Sequence, residues 1–305
     1  MLVELATFSD RLFVAAAGVF ALAMILHAVE FAAARATSPV LVGAGGPEEE
    51  APAEAPASAR PERFGRMAVA VTLLGAALHL VSLATRGLAA ERWPMGNMYE
   101  FISAICLAAV VTWLVVLRRS PAVRPAGPFV LFPVLVLMAL AGSVLYVPAG
   151  PVVPPLRSYW MSIHVSTISI SSGLLVVAGV VSLLFLLRRS GLLPEAAAKL
   201  PAADALDRLA YRVTIIAFPL FTFAIITGAI WAEAAWGRFW GWDPKETVAF
   251  VSWVIYAAYL HARATAGWRT GRAAWVNVAG FATIVFNLFF INMVVAGLHS
   301  YAGVG

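Results

Sequence analysis

Four of the ten tryptophans in this 305-residue chain fall within twelve residues, in Trp231-Ala-Glu-Ala-Ala-Trp236-Gly-Arg238-Phe239-Trp240-Gly-Trp242-Asp243-Pro-Lys245-Glu246-Thr247. Aromatic rings at this density offer large flat apolar faces, and Arg238, Asp243, Lys245 and Glu246 put charge at their edge. That combination suits a planar ligand with an apolar body and a charged rim. The chain also holds five histidines, at 27, 79, 164, 261 and 299, and one cysteine, Cys106. Neutral imidazole is a general metal ligand. A single cysteine excludes an intramolecular disulfide framework, a Cys-x-x-Cys redox pair and a cysteine-based metal centre. Cys106 lies in an apolar run and reads as a small buried hydrophobe. No Ser/His/Asp or Cys/His set points to a covalent enzyme intermediate.

The elements that must position these groups follow from composition. Hydrophobic residues make up 62% of the chain and charged ones 12%, with a mean hydropathy of +0.87. A soluble domain of this length needs more charge to cover its surface. Crossing a lipid bilayer whose hydrocarbon core is ~30 Å thick takes ~20 apolar residues of helix. Eight segments meet that length, near 11–34, 66–88, 97–117, 127–147, 160–187, 209–232, 247–264 and 274–297. The expected fold is therefore an all-α polytopic bundle of about eight transmembrane helices. The first run lacks a basic flank and a small-residue cleavage site, so it reads as a retained helix. The stretch 36–62, rich in Ala, Pro and Gly and carrying Glu48, Glu49, Glu50 and Glu54, has no apolar periodicity. It reads as a flexible linker, and residues 1–35, 36–65 and 66–305 form a first helix, a cytoplasmic linker and a seven-helix core.

The net charge of +5 is spread in short clusters between apolar segments, which excludes a nucleic-acid footprint. Its use is topological. Loops on the linker side hold 15 of the 21 basic residues, and those on the other side six. By the positive-inside rule both termini lie outside the cytoplasm. The Trp-rich loop at 231–247 then faces the extracytoplasmic side.

This topology sorts the histidines by depth. His164 lies near the outer end of the fifth span, and His299 just past the outer end of the eighth. Both share the level of the Trp-rich loop, and two imidazoles from opposite sides make a six-coordinate haem-iron site. The plainer alternative is that each is an interfacial polar residue bonded to a carbonyl. Likewise, an interfacial aromatic belt explains one or two tryptophans per loop, though not four interleaved with charge. At ~1.5 Å per residue, His261 lies roughly 21 Å down from residue 247, and His27 roughly 24 Å down from residue 11. His79 sits nearer mid-membrane. Any two of the three are candidates to pair, and depth alone does not choose among them.

The run Trp236-Gly-x-Phe239-Trp240-Gly-Trp242-Asp243-Pro-Lys245-Glu246 resembles the tryptophan-rich "WWD" signature of haem-handling proteins in cytochrome c maturation. Ser158-Tyr-Trp-Met-Ser-Ile-His164, Tyr259-Leu-His261, Gly297-Leu-His299-Ser-Tyr-Ala and Asn97-Met-Tyr-Glu100 narrow the resemblance to the system II branch, the CcsA/ResC family. It covers roughly residues 66–303. The resemblance implies a multi-pass protein of the cytoplasmic membrane, working with a separate CcsB/ResB-type subunit. It implies that His164 and His299 ligate haem b against the loop, and that His261 ligates haem on its way out. Trp236, Phe239, Trp240, Trp242, Asp243 and Lys245 belong to the same cofactor site. In the sequence of events expected from this, the Trp236, Trp240 and Trp242 faces pack on the porphyrin, and Lys245 or the neighbouring Arg238 pairs with a propionate. Asp243 and Glu246 are expected to orient the loop rather than touch haem. An apocytochrome c then presents its Cys-x-x-Cys-His segment, and its thiols add to the vinyl groups. The chain is thus a lyase only in the limited sense of a haem-presenting synthase subunit. A b-type electron-transfer cytochrome and a transporter of a non-haem substrate are the competing classes. The first predicts reduction linked to a quinol donor, and the second predicts no bound chromophore.

Overall fold

The computed structural model describes residues 1–34, 59–265, 268 and 271–299, and every regular element among them is helical. The long helices are α1 (Leu2–Ala33), α2 (Ala59–Ala90), α3 (Met98–Arg119), α4 (Gly127–Ser143) and α5 (Tyr159–Ser190). They are followed by the short α6 (Pro194–Lys199), then α7 (Ala203–Trp236), α8 (Pro244–Ala264) and α9 (Gly271–Phe286). The last continues through a π-helical turn, Asn287–Ile291, to Val294. Most of the expected linker lies outside the described residues, but its last part does not: 59–65 form the first turns of α2.

Among the described residues, seven helices are long and apolar enough to cross a membrane: α1 to α5, α7 and α9 with its extension. The fold is an all-α polytopic membrane protein. The remaining expected span, 247–264, differs. It forms the 21-residue α8, but Lys245, Glu246, His261 and Arg263 make it less apolar than the others. Its contacts show that it nevertheless runs the length of its neighbour α7. Trp253 Nε1 donates to Thr222 Oγ1 at 2.8 Å midway, and Arg263 Nη1 reaches both Asp207 oxygens near the start of α7, at 2.5 and 2.7 Å. Polar residues at both helix tips and protein on one face allow a less apolar helix to cross.

The core centres on α5, whose apolar stretch is the most buried in the bundle. Small residues let its neighbours approach. A Cβ added at Gly173 would meet Ala108 of α3 at 2.6 Å, and one at Gly179 would meet Phe281 of α9 at 2.4 Å. α1 and α2 form an antiparallel pair, stapled by reciprocal bonds in which the Ser9 and Ser82 hydroxyls each donate to the other's carbonyl at 2.8 Å.

Both ends of the bundle are tied by ion pairs. At the Trp-rich end Glu100, wholly buried, accepts from Arg86 Nε and Arg92 Nη1, each at 2.7 Å, and from Gly96 N at 2.7 Å. Arg86 also bonds the Val147 carbonyl and reaches Asp10 at 3.4 Å. This cluster joins the ends of α1, α2, α3 and α4. At the opposite end Arg124 pairs with Glu30, and Lys199 Nζ bonds the carbonyl of Ala32 at 2.7 Å. Among the described residues, Arg124, Lys199 and Arg263, all assigned to the linker side, make these contacts away from the Trp-rich end. Two of the six basic residues assigned outside, Arg86 and Arg92, are structural rather than free loop charges.

Candidate functional site

Ser158 caps α5, accepting from Trp160 N at 3.2 Å, and this sets His164 early in the helix facing α7. Its Nδ1 lies 2.8 Å from the Ala224 carbonyl. Only a protonated Nδ1 can donate there, so the lone pair sits on Nε2, the tautomer a ligating histidine uses. Gly228, one turn further along α7, leaves room for the ring: a Cβ there would come within 2.7 Å of it. Trp231 completes the face, stacked on the imidazole with ring centres 5.9 Å apart and planes 11° from parallel. Its Nε1 donates to the Pro155 carbonyl at 3.0 Å, which locks the indole.

α7 ends at Gly237, whose φ of +71° is left-handed and favours glycine. The loop then reverses into α8. Trp242 adopts φ +57°, a costly conformation for an aromatic residue. A capping box directly after it holds that geometry: Asp243 accepts from Lys245 N at 3.1 Å, and the Glu246 carboxylate accepts from Asp243 N at 3.1 Å and Gly241 N at 2.9 Å.

Asp243 does more than cap the helix. Its Oδ1 accepts from His299 Nδ1 at 2.9 Å and its Oδ2 from Leu298 N at 2.7 Å, pinning the segment after α9. Gly297 is needed for this approach, since a Cβ there would lie 2.7 Å from Oδ2. Burial alone pushes the Asp243 carboxyl upward, but the bonds from His299, Leu298 and Lys245 outweigh it and bring its pKa down to about 2. Burial lowers the pKa of His299, and the adjoining Asp243 opposes that only in part. The result is a neutral imidazole, protonated on Nδ1, beside an ionised carboxylate.

Trp231 and Trp236 join the two histidines. The His299 ring centre lies 5.8 Å from that of Trp231 and 5.2 Å from that of Trp236, and the two indoles are 4.9 Å apart. These four residues, with Phe239, Trp240 and Lys245, line a cavity of about 460 Å³, within the ~300–1,000 Å³ usual for cofactor pockets.

The residues singled out from sequence thus divide. His164, His299, Trp236, Phe239, Trp240 and Lys245 converge on one cavity. Trp242 stands outside that lining, 67% exposed, with its ring edge-on to Trp240 at 5.7 Å. Asp243 also stands outside it and acts through His299. Ser300 to Ala302 of the last motif lie outside the described residues. His261 is elsewhere, exposed near the far end of α8. His27 and His79 are fully buried. His79 Nε2 pairs with Ser103 Oγ at 2.7 Å, and His27 packs against Gly127 beside Glu30. Among the described residues, no two of these three histidines are in contact. Trp231 was read as part of the Trp-rich stretch but not as a cofactor-site residue, and Gly228 was not singled out; their spacing of three on one helix, which puts them on a common face, is the signal that could have found them.

The model of the cytochrome C assembly protein family matches residues 95–299, which contain both histidines and the whole loop. A cytochrome c biogenesis protein CcsA from Synechococcus sp. (strain RCC307) is 36% identical over 263 residues, covering 76% of this chain and 84% of that protein. Its namesakes from Gloeobacter violaceus and Porphyra purpurea are 33% and 30% identical, covering 72% and 78% of this chain. Among solved structures, the cytochrome c haem lyase CcmF superposes with a TM-score of 0.64 at 17% identity. That match covers 93% of this chain and 46% of CcmF, so the two share a fold over about half of the longer protein. With the family model spanning most of the bundle and these relatives matched over most of their length, the chain belongs to the CcsA family of cytochrome c assembly proteins.

Proposed function

We propose that this protein serves cytochrome c assembly by holding haem b at the Trp-rich end of the bundle, on the extracytoplasmic face of the cytoplasmic membrane. One observation carries the reading: His164 and His299 are each oriented through Nδ1 by an oxygen acceptor and lie against the same indole in one cavity. Neutral imidazoles with Nδ1 committed and the lone pair on Nε2 are suited to be axial ligands. Aromatic walls of Trp231, Trp236 and Trp240 suit a porphyrin face. When bound, haem supplies the electrophilic vinyl groups. The chain's residues position it and exclude competing ligands, while an apocytochrome c thiol adds S–H across each vinyl double bond, a step that needs no oxidant.

The concentration of basic loop residues at the opposite end supports placing the site outside the cytoplasm. The exposure of His261 on α8 supports a haem ligand shared with another polypeptide, a CcsB/ResB-type subunit. The test is the visible spectrum of the protein purified with that subunit, before and after dithionite. A low-spin b-type spectrum is expected. A colourless preparation from cells that mature cytochrome c normally would overturn the reading and favour a transporter.

Asp243→Asn isolates the orienting role. Asparagine caps helices as well as aspartate does. It lacks the charge that stabilises the Nδ1–H tautomer of His299. The expected outcome is a ~10–100-fold loss of haem affinity with the helix content unchanged. Titration of the Soret band and circular dichroism read the two quantities separately.

A further inference from the structure

Lys245, the second residue of α8, puts its side chain in the wall of the cavity. Nζ donates to Asn292 Oδ1 at 2.6 Å and lies 5.6 Å from the centre of the Phe101 ring. It forms no ion pair with a carboxylate among the described residues. Asp243 is close enough for its charge to be felt, but its oxygens are engaged by His299, Leu298 N and Lys245 N. The Glu246 oxygen Oε2 is engaged by Gly241 N and Asp243 N. An ammonium facing an apolar cavity without its own counter-ion is costly unless the ligand brings an anion.

The neighbouring helix is built to aim this ammonium. α9 widens into the π-helical turn Asn287–Ile291, a feature frequent at functional sites. Asn292 Nδ2 donates to Leu288 O at 2.8 Å and Asn287 O at 3.3 Å, satisfying carbonyls of that turn and leaving Oδ1 towards Lys245. Asn287 Nδ2 donates to the backbone carbonyl of Lys245 at 3.2 Å. Two asparagines thus hold one lysine at both its ends. Arg238, the other cation of the loop, lies across Gly241, where an added Cβ would overlap its guanidinium, and it does not line the cavity.

The geometry points to a carboxylate subsite: Lys245, aimed by Asn287 and Asn292, takes a propionate of the haem and so sets which edge of the macrocycle faces inward. This rests on the haem reading above and adds a direction to it. Vinyl groups occupy the half of the porphyrin away from the propionates. An inward propionate therefore turns the vinyls towards the loop of Phe239 and Trp242, which are 60% and 67% exposed and open to a thiol-bearing segment. Lys245 is the contact residue, and the two asparagines are positioning residues.

Apoprotein in complex with its partner subunit, titrated with haem, mesohaem and haem dimethyl ester, tests this directly. Wild type is expected to bind haem and mesohaem alike and the diester about tenfold more weakly, the worth of one charge-assisted bond. Lys245→Met should weaken haem about tenfold and erase the preference over the diester, Lys245→Arg should restore part of it, and Asn292→Leu should behave as an intermediate. Equal wild-type affinity for haem and diester, or an unchanged preference in Lys245→Met, would overturn the subsite and leave the histidine site standing. Failure of wild type to bind any of the three overturns both.

Discussion

Joint replacement of His164 and His299 by alanine is expected to remove the low-spin haem spectrum and to lower holocytochrome c formation by on the order of 100-fold or more. The expectation rests on how each ring is held rather than on its presence alone. His164 is fixed by the Ala224 carbonyl, the gap at Gly228 and the face of Trp231. His299 is fixed by the Asp243 carboxylate. Each single alanine variant should therefore keep the other ligand in place and yield a shifted, high-spin spectrum. Exogenous imidazole should restore part of the low-spin form, because the pocket left behind is shaped for that ring. His261→Ala is the contrast: it lies on an exposed face of α8 away from the cavity, so added haem should still give the low-spin spectrum of the outer site even where supply through the shared ligand is lost. Normal maturation in the double variant would remove the haem-ligand reading for both residues.

Glu100→Gln is expected to destabilise the bundle by ~3–5 kcal/mol, seen as a fall in melting temperature of the detergent-solubilised protein. Glu100 is 0% exposed and is the common acceptor for Arg86 and Arg92, with Arg86 itself 1% exposed. Neutralising it leaves buried guanidinium charge with Asp10, 3.4 Å from Arg86, as the remaining carboxylate partner in the cluster. The damage should spread to the site, because Gly96 and Asn97 line the cavity and are held by this same carboxylate and the cap it adjoins. Glu100→Asp, which keeps the charge but shortens the reach, should lose less. An unchanged melting temperature in Glu100→Gln would show that water replaces the lost bonds, and the clamp would then carry no stability.

Several features were legible along the chain because they depend on local pattern. Apolar runs of spanning length define the helices, since a buried backbone in lipid must satisfy its own hydrogen bonds. The alternation of basic and non-basic loops sorts residues to two ends, and His164, His299 and the Trp-rich loop came out on one level for that reason. The Asp243-Pro-Lys-Glu246 sequence carries the helix start, as the capping box confirms. Other features depended on how helices turn about their axes. α1, α4 and α5 are apolar nearly all round, so periodicity does not mark their inward faces. Tertiary packing therefore decided that Trp231 rather than Trp242 stands between the histidines, and that His79 Nε2 is bonded to Ser103 while His261 faces outward. It also decided that α8, less apolar than its neighbours, runs beside α7 with its charged ends paired. The pairing of Asp243 with His299 across 56 residues, and the turn that brings Asn292 to Lys245 across 47, arise only when α8 and α9 lie side by side. Sequence set the groups and their depth; the rotation of each helix against its neighbours chose their partners.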